Sequence, residues 1–389
     1  MPSTTPIPVN LDYAASTPMR PEAIEAQRRY DASEIAGANP NSLHTLGRRA
    51  QAELERARRT LAHTFGARVR PAEVILTGGG TEANDLAVTG IARAMRTAHP
   101  ARTRVIVSAI EHDAVLDNAC RLRGEGFTVQ TVRPRRDGAV APEDLEELMG
   151  EDVALASVML ANNETGVVQP IRELAAVAHG TGALMHTDAV QGWLHIPFDV
   201  DELGVDALAV AGHKIGGPVG CGALYVRRRT PLVPIAVGGG QEVGLRPGTQ
   251  DLRSHLAFAA AADAVFSALA ADGPRVRALA DGLYRALLRS PRIHATMGDP
   301  AAVDRLPGIV SIYVDGWSSE DLILKLDRAG FEVSAGSACS SGSLDASHVL
   351  TAMGLSRDQA LGSLRISFDD RVNPADLDRF AQALLEIAG

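Results

Sequence analysis

The chain has 389 residues, the length of about two domains. Hydrophobic residues make up 46% of it and charged residues 22%, a balance that supports a large buried core and excludes disorder of the whole chain. Lysine and arginine total 38 against 47 acidic residues, so the formal net charge is −9. This acidic balance argues against a general binder of nucleic acid or of anionic membranes.

Three cysteines, Cys120, Cys221 and Cys339, lie far apart in the sequence and form no CxxC pair. This spacing argues against a zinc ribbon or a disulfide framework and favours a reducing compartment, so we expect no metal site. The first ten residues lack the apolar core of a signal peptide, and polar residues interrupt the apolar run over 256–271. We therefore expect a cytoplasmic protein without a membrane span.

Short apolar runs alternate with segments of helical periodicity from residue 74 to residue 226. The runs predict strands over 74–77, 104–108, 127–132, 153–160, 183–187, 206–211 and 223–226. The periodic segments predict helices over 81–97, 113–123, 142–149 and 171–180. This alternation predicts an α/β fold of right-handed βαβ units, with a mainly parallel sheet covered by helices.

The alternation stops at 238–249, a stretch with five glycines and a proline. An alanine-rich helix is predicted next, over 251–271, and then a smaller α+β arrangement with an apolar strand over 309–314. We place a domain boundary near residue 252. The prediction is a large α/β domain over 16–252 and a small α+β domain formed by 1–15 and 253–389.

Polar residues follow five of the predicted strands at the point where each strand ends. The five sets are Gly78-Gly79-Gly80-Thr81-Glu82, Glu111-His112, Asn162-Asn163-Glu164-Thr165-Gly166, Asp188-Ala189-Val190-Gln191 and Gly212-His213-Lys214. In open α/β sheets, ligands bind beyond the carboxyl ends of the strands. The sequence therefore predicts a ligand site at this edge of the sheet.

The Gly-Gly-Gly-Thr segment over 78–81 stands where a predicted helix begins. Glycines let the backbone approach an anion closely, and the first N–H groups of a helix point at it with a favourable dipole. The segment is neither GxGxxG nor a P-loop with lysine, so it does not indicate a dinucleotide or ATP. It fits a single phosphate monoester, and it fits equally well a tight turn with Thr81 as the helix N-cap.

Lys214 and Asp188 each follow an apolar predicted strand. We expect such a lysine in a cleft, where a desolvated amine can form a Schiff base. A part-buried aspartate needs a cationic partner, and a pyridinium nitrogen is one. His112 could stack on an aromatic ring, although an isolated histidine is more often a plain polar contact. Together, a phosphate site, this lysine and this aspartate indicate pyridoxal 5′-phosphate (PLP).

These residues and several others form short motifs that follow one another along essentially the whole chain. They are Leu11-Asp12-Tyr13-Ala14-Ala15, Asn39-Pro40-Asn41-Ser42-Leu43-His44, Gly80-Thr81-Glu82, Glu111-His112, Asn162-Asn163-Glu164, His186-Thr187-Asp188-Ala189-Val190-Gln191, Gly212-His213-Lys214, Gly238-Gly239-Gly240-Gln241-Glu242, Arg246-Pro247-Gly248-Thr249 and Ser334-Ala335-Gly336-Ser337-Ala338-Cys339-Ser340-Ser341-Gly342-Ser343. In these motifs the chain resembles the cysteine desulfurases of the nitrogen-fixation and iron–sulfur-cluster type. That family lies in the class V aminotransferase group of fold-type I PLP enzymes.

The resemblance implies roles for the residues that would meet the ring of the cofactor. Lys214 would form the Schiff base and later move protons. Asp188 would pair with the pyridine nitrogen and Gln191 with the phenolic oxygen. His112 would stack on the ring and assist proton transfer.

The resemblance also implies a phosphate site and a substrate site. Gly80, Thr81 and His213 would hold the phosphate, with Thr249 supplied by the other subunit of a homodimer. At the substrate site, Arg365 would bind the carboxylate of L-cysteine bidentately, which suits the fork of a guanidinium. Asn163 would stand alongside, next to cofactor and substrate.

Cys339 lies among Gly and Ser residues that favour neither a stable helix nor a packed strand, so we expect an accessible thiol on a mobile loop. As a thiolate it could attack the sulfur of PLP-bound cysteine, leaving alanine and a persulfide for an acceptor protein. We expect Cys120 and Cys221 to be small buried hydrophobic residues, the usual state of a free cysteine.

Two positions depart from the family pattern. Ala211 stands where relatives have a serine that donates to the phosphate. Asp369 and Asp370 stand where a Gly-Arg pair is usual, which changes the local charge and loop geometry.

Other functions remain open from the sequence. A selenocysteine lyase or an aminotransferase of the same class would share the PLP residues, but an aminotransferase has no use for Cys339. A sulfur-relay docking partner would not need Lys214, Asp188 and Cys339 together. The acceptor could serve iron–sulfur cluster assembly, tRNA thiolation or DNA phosphorothioation.

Overall fold

A computed structural model describes residues 8–336 and 345–389 of the chain. Its strands are β1 (Val9–Asn10), β2 (Val74–Thr77), β3 (Arg104–Ser108), β4 (Thr128–Val132), β5 (Val153–Ser157), β6 (Leu184–Asp188), β7 (Ala207–Ala211), β8 (Gly222–Val226), β9 (Ile293–Ala295), β10 (Ile309–Val314), β11 (Phe331–Glu332) and β12 (Ser363–Ser367). Its α-helices are α1 (Pro21–Asp31), α2 (Thr45–Phe65), α3 (Gly80–Ala98), α4 (Asp113–Gly124), α5 (Pro142–Glu146), α6 (Ile171–Gly180), α7 (Val200–Leu203), α8 (Leu252–Leu287), α9 (Ser319–Arg328), α10 (His348–Ala352), α11 (Arg357–Leu361) and α12 (Pro374–Ala388).

Seven strands form the central sheet, in the order β2-β8-β7-β6-β5-β3-β4. β8 runs antiparallel to both of its neighbours, β2 and β7, and the other pairings are parallel. The carboxyl ends of β2, β3, β5, β6 and β7 therefore share one edge. The predicted α/β fold with a mainly parallel sheet is confirmed.

Helices cover both faces of this sheet, which explains why its central strands are apolar on both sides. On one face, Leu208 and Val210 of β7 pack with Leu54 of α2 and Phe258 of α8. On the other face, alternate residues of the same strand, such as Ala209, pack against α3. Both cores are continuous and position the strand ends rigidly.

The second half of the chain builds a smaller sheet of order β12-β10-β9, antiparallel throughout. β1 pairs in parallel with β11, with Val9 opposite Phe331, so the N-terminal strand is bonded to this part of the fold. A separate hydrophobic cluster fills it, including Val310, Leu364 and Phe380.

α8 is longer than the helix predicted over 251–271, because it continues through Pro274 to Leu287. A proline inside a helix costs about 3 kcal/mol. The turns beyond Pro274 bury Val276, Leu283 and Leu287 in the small-sheet cluster, each worth about 1.5–3 kcal/mol. Burial therefore outweighs the proline, and one helix joins the two hydrophobic cores.

By length and composition alone, α8 is also the one helix within 8–336 and 345–389 that could cross a membrane. A core helix of this length passes the same test, so the expected absence of a membrane span stays a prediction. In the fold, α8 packs against α1 and α2.

Candidate active site

The five polar strand ends meet at a cavity of about 400 Å³. Among the residues that line it are Gly80, Thr81, His112, Asn163, Asp188, Gln191, Ala211, His213, Lys214 and Arg365. The structure thus brings together the predicted site residues except Thr249 and Cys339. Cys339 belongs to 337–344 and lies outside the described residues.

Asp188 ends β6 and is almost fully buried. Its Oδ2 accepts a hydrogen bond from Asn84 Nδ2 at 2.6 Å, and its Oδ1 accepts one from the backbone N–H of Val190 at 2.9 Å. Burial raises the pKa of the Asp188 carboxyl, although these hydrogen bonds and the nearby His112 and Lys214 oppose the rise. A cationic ligand group next to Asp188 would favour its ionised form.

Sequence reasoning missed Asn84, which is buried on α3 one turn after Gly80. A polar residue among the alanines and leucines of a buried helical face was the signal that could have found it. Its Oδ1 is buried and has no hydrogen-bond partner within the described residues.

Lys214 closes a short 3₁₀ turn, Gly212–Lys214, that directly follows β7. Its Nζ donates to the carbonyl of Ala14 at 2.6 Å and to that of Ala15 at 2.9 Å. Gln191 Nε2 donates to the same Ala14 carbonyl at 2.8 Å. The N-terminal segment therefore supplies backbone acceptors that hold both side chains in the cavity.

His112 is the N-cap of α4, and its Nδ1 accepts from the backbone N–H of Ala114 at 3.0 Å. When the ring is neutral, this leaves the proton on Nε2. The preceding residue, Glu111, is fully buried and accepts from Ser108 Oγ and from the backbone N–H of Met159. Burial raises the pKa of Glu111 to about 8.

The glycine segment forms a close approach at the N-terminus of α3. A Cβ on Gly80 would lie 2.7 Å from Val190 Cγ2, so the backbone approaches Val190 more closely than a side chain allows. The N-cap position is Gly79, without a side-chain cap, so Thr81 is not the N-cap. Gly80 and Thr81 both line the cavity, where the helix dipole favours an anion.

His213 also lines the cavity. Burial, together with the neighbouring Lys214, lowers the pKa of His213 to about 4, so its ring is neutral at pH 7. Ala211, the departure from the family pattern, is fully buried and also lines the cavity.

Arg365 lies in the middle of β12 with its side chain 1% exposed. Nη1 donates to the carbonyl of Asn163 at 2.9 Å, and Nη2 donates to Asp12 Oδ1 at 2.8 Å. Nε is buried and, in the part of the chain that the structure describes, has no partner. Asp12 lies in the motif Leu11-Asp12-Tyr13-Ala14-Ala15, and the sequence alone indicates no role for it.

The acidic pair after β12 is compensated by arginines. Arg20 forms ion pairs with Asp369 at 3.3 Å and with Asp370, and Arg371 pairs with Asp369 at 2.7 Å. Burial would raise the pKa of Asp370, but the hydrogen bond and charge of Arg20 hold it below its usual value. Arg20 also donates from its backbone N–H to the carbonyl of Gly216 at 2.8 Å. Arg20 therefore connects the loop after Lys214 to the two aspartates that follow β12.

Two cysteines fall in the described residues. Cys221 is buried as predicted, and burial raises the pKa of its thiol to about 12. The prediction for Cys120 is wrong, because it lies on the outer face of α4 and is exposed. Over 8–336 and 345–389, no group of three or more His, Cys, Asp or Glu residues is placed to hold a metal ion.

Thr249 is exposed and does not line the cavity of its own chain. Its segment is held to the large sheet by the buried Glu242, which pairs with Arg58 and accepts from Gln250 Nε2 at 3.1 Å and from the backbone N–H of Leu76 at 2.9 Å. The most exposed large hydrophobic side chains of the described residues include Val243 at 87% and Val237 at 93% on the same segment.

Residues 9–380 match the family model of the class-V aminotransferases, and the chain belongs to this family. It is 42% identical over 379 residues to an IscS-like cysteine desulfurase of Mycobacterium tuberculosis, covering 96% of this chain and 94% of the relative.

Solved structures show the same likeness. A NifS-like protein superposes with a TM-score of 0.89 at 31% identity, covering 98% of this chain and 99% of the other. The structure of SspA in complex with cysteine gives a TM-score of 0.79 at 30% identity, with coverages of 93% and 99%. The resemblance to the nitrogen-fixation and iron–sulfur-cluster type is thereby confirmed.

Proposed function

We propose that this chain is a PLP-dependent L-cysteine desulfurase. It takes sulfur from L-cysteine, forms L-alanine and leaves a persulfide on Cys339 for an acceptor protein. The observation that carries the proposal is the convergence of Lys214, Asp188 and Arg365 in one cavity, in a chain 42% identical to a cysteine desulfurase.

The cavity residues fit PLP. The buried Asp188 carboxyl needs a cationic partner to ionise, which a pyridinium nitrogen provides. Gly80 and Thr81 line the cavity at the N-terminus of a long helix, where a phosphate is favoured. Lys214 would hold the cofactor through Nζ. When bound, PLP supplies an electron sink for the bonds at the substrate's α and β carbons.

Arg365 binds the carboxylate of the substrate. A guanidinium has five N–H groups, and Asn163 and Asp12 engage one each on Nη1 and Nη2. Nε, buried and without a partner among the described residues, is one of the groups left for the ligand. A carboxylate that accepts from two adjacent N–H groups is the partner this fork binds best.

Two side chains are placed to handle protons. His112 carries its proton on Nε2 when neutral, because Nδ1 accepts from Ala114, and so it can donate from Nε2. The amine of Lys214 can take a proton at Nζ and return it. The carbonyls of Ala14 and Ala15 keep Nζ in the cavity while it does so.

Cys339 performs the sulfur transfer. Its thiolate forms a bond to the sulfur of the substrate as the substrate's C–S bond breaks. The electron pair of that bond passes to the β carbon, which takes a proton and becomes the methyl group of alanine. The balance needs no external oxidant or reductant, since one thiol and cysteine give alanine and one persulfide.

The chain acts as a homodimer in this proposal, with Thr249 of the partner subunit completing the phosphate site. Thr249 faces outward from its own chain, on a segment whose neighbouring side chains Val237 and Val243 are apolar and exposed. A second copy that covers this segment would bury those side chains.

The test measures alanine and sulfide from L-cysteine and a thiol reductant. Wild-type chain should yield the two products in equal amounts. Cys339→Ser should bind PLP and cysteine but form neither alanine nor persulfide, whereas Cys120→Ser and Cys221→Ser should keep activity. A keto acid in place of alanine would instead identify an aminotransferase.

The sequence offers a matched control for the lysine. It contains two lysines, Lys214 and Lys325, and Lys325 lies on α9 over the ring of Trp317. Lys214→Ala should lose the visible absorbance of bound PLP and all alanine formation, while Lys325→Ala should keep both. Normal turnover by Lys214→Ala would refute the proposed role of PLP.

A further inference from the structure

Glu164 is a buried carboxylate that the proposed chemistry does not use. It follows Asn163, whose carbonyl holds Arg365, and it is 2% exposed. Asn162 Oδ1 accepts from the backbone N–H groups of Glu164 and Thr165, both at 2.9 Å. The backbone that carries Glu164 is therefore fixed beside the substrate carboxylate site.

One oxygen of Glu164 meets both ends of the chain segment that contains Cys339. Ser347 Oγ donates to Glu164 Oε2 at 2.5 Å and accepts from the backbone N–H of Leu350 at 3.2 Å, as the N-cap of α10. On the other side, a Cβ built on Gly336 would lie only 2.6 Å from Glu164 Oε2. Gly336 and Ser347 thus stand on either side of one carboxylate.

Residues near Gly336 and next to Ser347 form hydrogen bonds with residues around the active site. Ser334 exchanges backbone hydrogen bonds with Arg365, at 2.8 and 3.3 Å, and its Oγ donates to Asp12 Oδ2 at 2.8 Å. His348 Nε2 contacts the carbonyl of Glu111 at 3.0 Å. The positions of Gly336 and Ser347 are consequently set relative to Arg365.

We propose that Glu164 is a positioning residue for Cys339, which acts by hydrogen bonding to Ser347 and by packing against Gly336 beside the substrate site. Cys339 follows Gly336 by three residues, so covalent geometry keeps its Cα within about 11 Å of Gly336. A shift of Gly336 would therefore move the point from which the segment that carries the thiol begins. This inference rests on the proposed desulfurase function.

The first test compares Glu164→Ala with Glu164→Gln. The glutamine keeps an oxygen that accepts from Ser347, and the alanine does not. In Glu164→Ala we expect kcat for alanine formation to fall about ten- to a hundred-fold, the cost of a misplaced reacting group. KM for cysteine should stay within about two-fold, because Arg365 and Asn163 remain. Glu164→Gln should recover most of the lost kcat.

Two further readouts separate positioning from general damage. Bound PLP absorbs visible light, and both the absorbance and its change on adding cysteine should be as in wild type for Glu164→Ala. The persulfide on Cys339, measured by mass spectrometry after one turnover, should form more slowly by the same factor as alanine.

Gly336→Ala tests the contact between Gly336 and Glu164 by changing Gly336 in place of the carboxylate. Gly336 does not have a positive φ, so an added methyl acts through its clash with Glu164 Oε2 and not through backbone strain. We expect the same selective loss of kcat. Gly180→Ala is the matched control, since a Cβ there meets nothing within 4 Å and its φ is also not positive.

The outcomes distinguish this inference from the proposed function. A wild-type chain that forms no alanine from cysteine would end both. With an active wild type, unchanged kcat in Glu164→Ala and Gly336→Ala would overturn the role of Glu164. So would a loss of PLP or cysteine binding equal to the loss of kcat. If Glu164→Ala does not fold, Gly336→Ala and Glu164→Gln decide the question by the same criteria.

Discussion

Arg365 donates a hydrogen bond from Nη2 to Asp12 Oδ1 at 2.8 Å, although 353 positions separate the two residues in the chain. Asp12 therefore places a carboxylate next to the guanidinium of Arg365, the group proposed to bind the carboxylate of the substrate. It orients the fork through one N–H group and leaves others for the ligand. It also lowers the positive potential that the substrate meets.

Asp12→Asn should therefore lower KM for cysteine. The amide keeps an oxygen that can accept from Arg365 but removes the competing charge. We expect KM to fall about three- to ten-fold, equivalent to about 0.6–1.4 kcal/mol of substrate binding. The free energy of unfolding should fall by about 1–3 kcal/mol, because a hydrogen bond between charged groups is replaced by a weaker one.

The control is Asp315→Asn, which removes the same charge from the exposed pair between Asp315 and His294. It should leave KM unchanged. A raised KM in Asp12→Asn would show that Asp12 serves the orientation of Arg365 more than it competes with the substrate.

Much of this site could be predicted from the sequence, for a physical reason. Parallel strands are apolar, so a polar residue that ends one stands out, and the shared edge of the sheet gathers such residues. Asp188 and Lys214 were found in this way.

The residues that sequence reasoning missed act through less visible features. Asn84 lies inside a helix, and Ala14 and Ala15 act through backbone carbonyls, which carry no side-chain signal. Pairing between Asp12 and Arg365 depends on the segment after β1 meeting β12, where Asp12 forms a bridge with Ser367, and no local pattern indicates this contact. The continuation of α8 through Pro274 likewise depends on tertiary burial.

Subunit exchange should test the proposed dimer. If Thr249 reaches the partner's phosphate site, a heterodimer of Lys214→Ala and Thr249→Ala chains contains one site with both residues intact. Its activity should exceed that of either homodimer, measured after mixing chains that carry two different affinity tags. If the isolated heterodimer is no more active than the homodimers, each site is built within one chain.

The buried Glu111 should make stability depend on pH. Its folded pKa, about 8, lies above the ordinary value of 4.5, so the folded state favours the protonated carboxyl. The stability it contributes is fully present below pH 4.5 and is lost as pH rises through 8. Glu111→Gln keeps the shape and does not titrate, so its melting temperature should fall less than that of wild type between about pH 5 and pH 8.

Thermal unfolding of both proteins in a series of buffers of constant ionic strength measures this difference. Parallel curves for wild type and Glu111→Gln would mean that Glu111 stays ionised when buried. Asp188 and Glu164, whose pKa values burial also raises, are present in both proteins, so their contributions should cancel in the difference between the two curves.

Ala211→Ser should tighten the binding of PLP. Ala211 is fully buried at the end of β7, lines the cavity and lies close to Gly80, where an added Cβ would be 3.4 Å from Ala211 Cβ. The neighbouring His213 is neutral at pH 7, so it offers the phosphate an N–H group without a charge. A serine hydroxyl would add a donor to an ionised oxygen, worth about 1.5–3 kcal/mol. At about 1.4 kcal/mol per decade, the dissociation constant of PLP should fall by roughly ten- to a hundred-fold.

Equilibrium dialysis of PLP against wild type and Ala211→Ser measures this constant directly, without reference to turnover. Ala209→Ser is the matched control, because it adds the same hydroxyl to the same face of β7, two residues before the cavity. It should destabilise the fold, since a buried hydroxyl without a partner costs about 1–3 kcal/mol, and leave the affinity for PLP unchanged. Equal affinities of wild type and Ala211→Ser would mean that the backbone N–H groups of Gly80 and Thr81 already satisfy the phosphate.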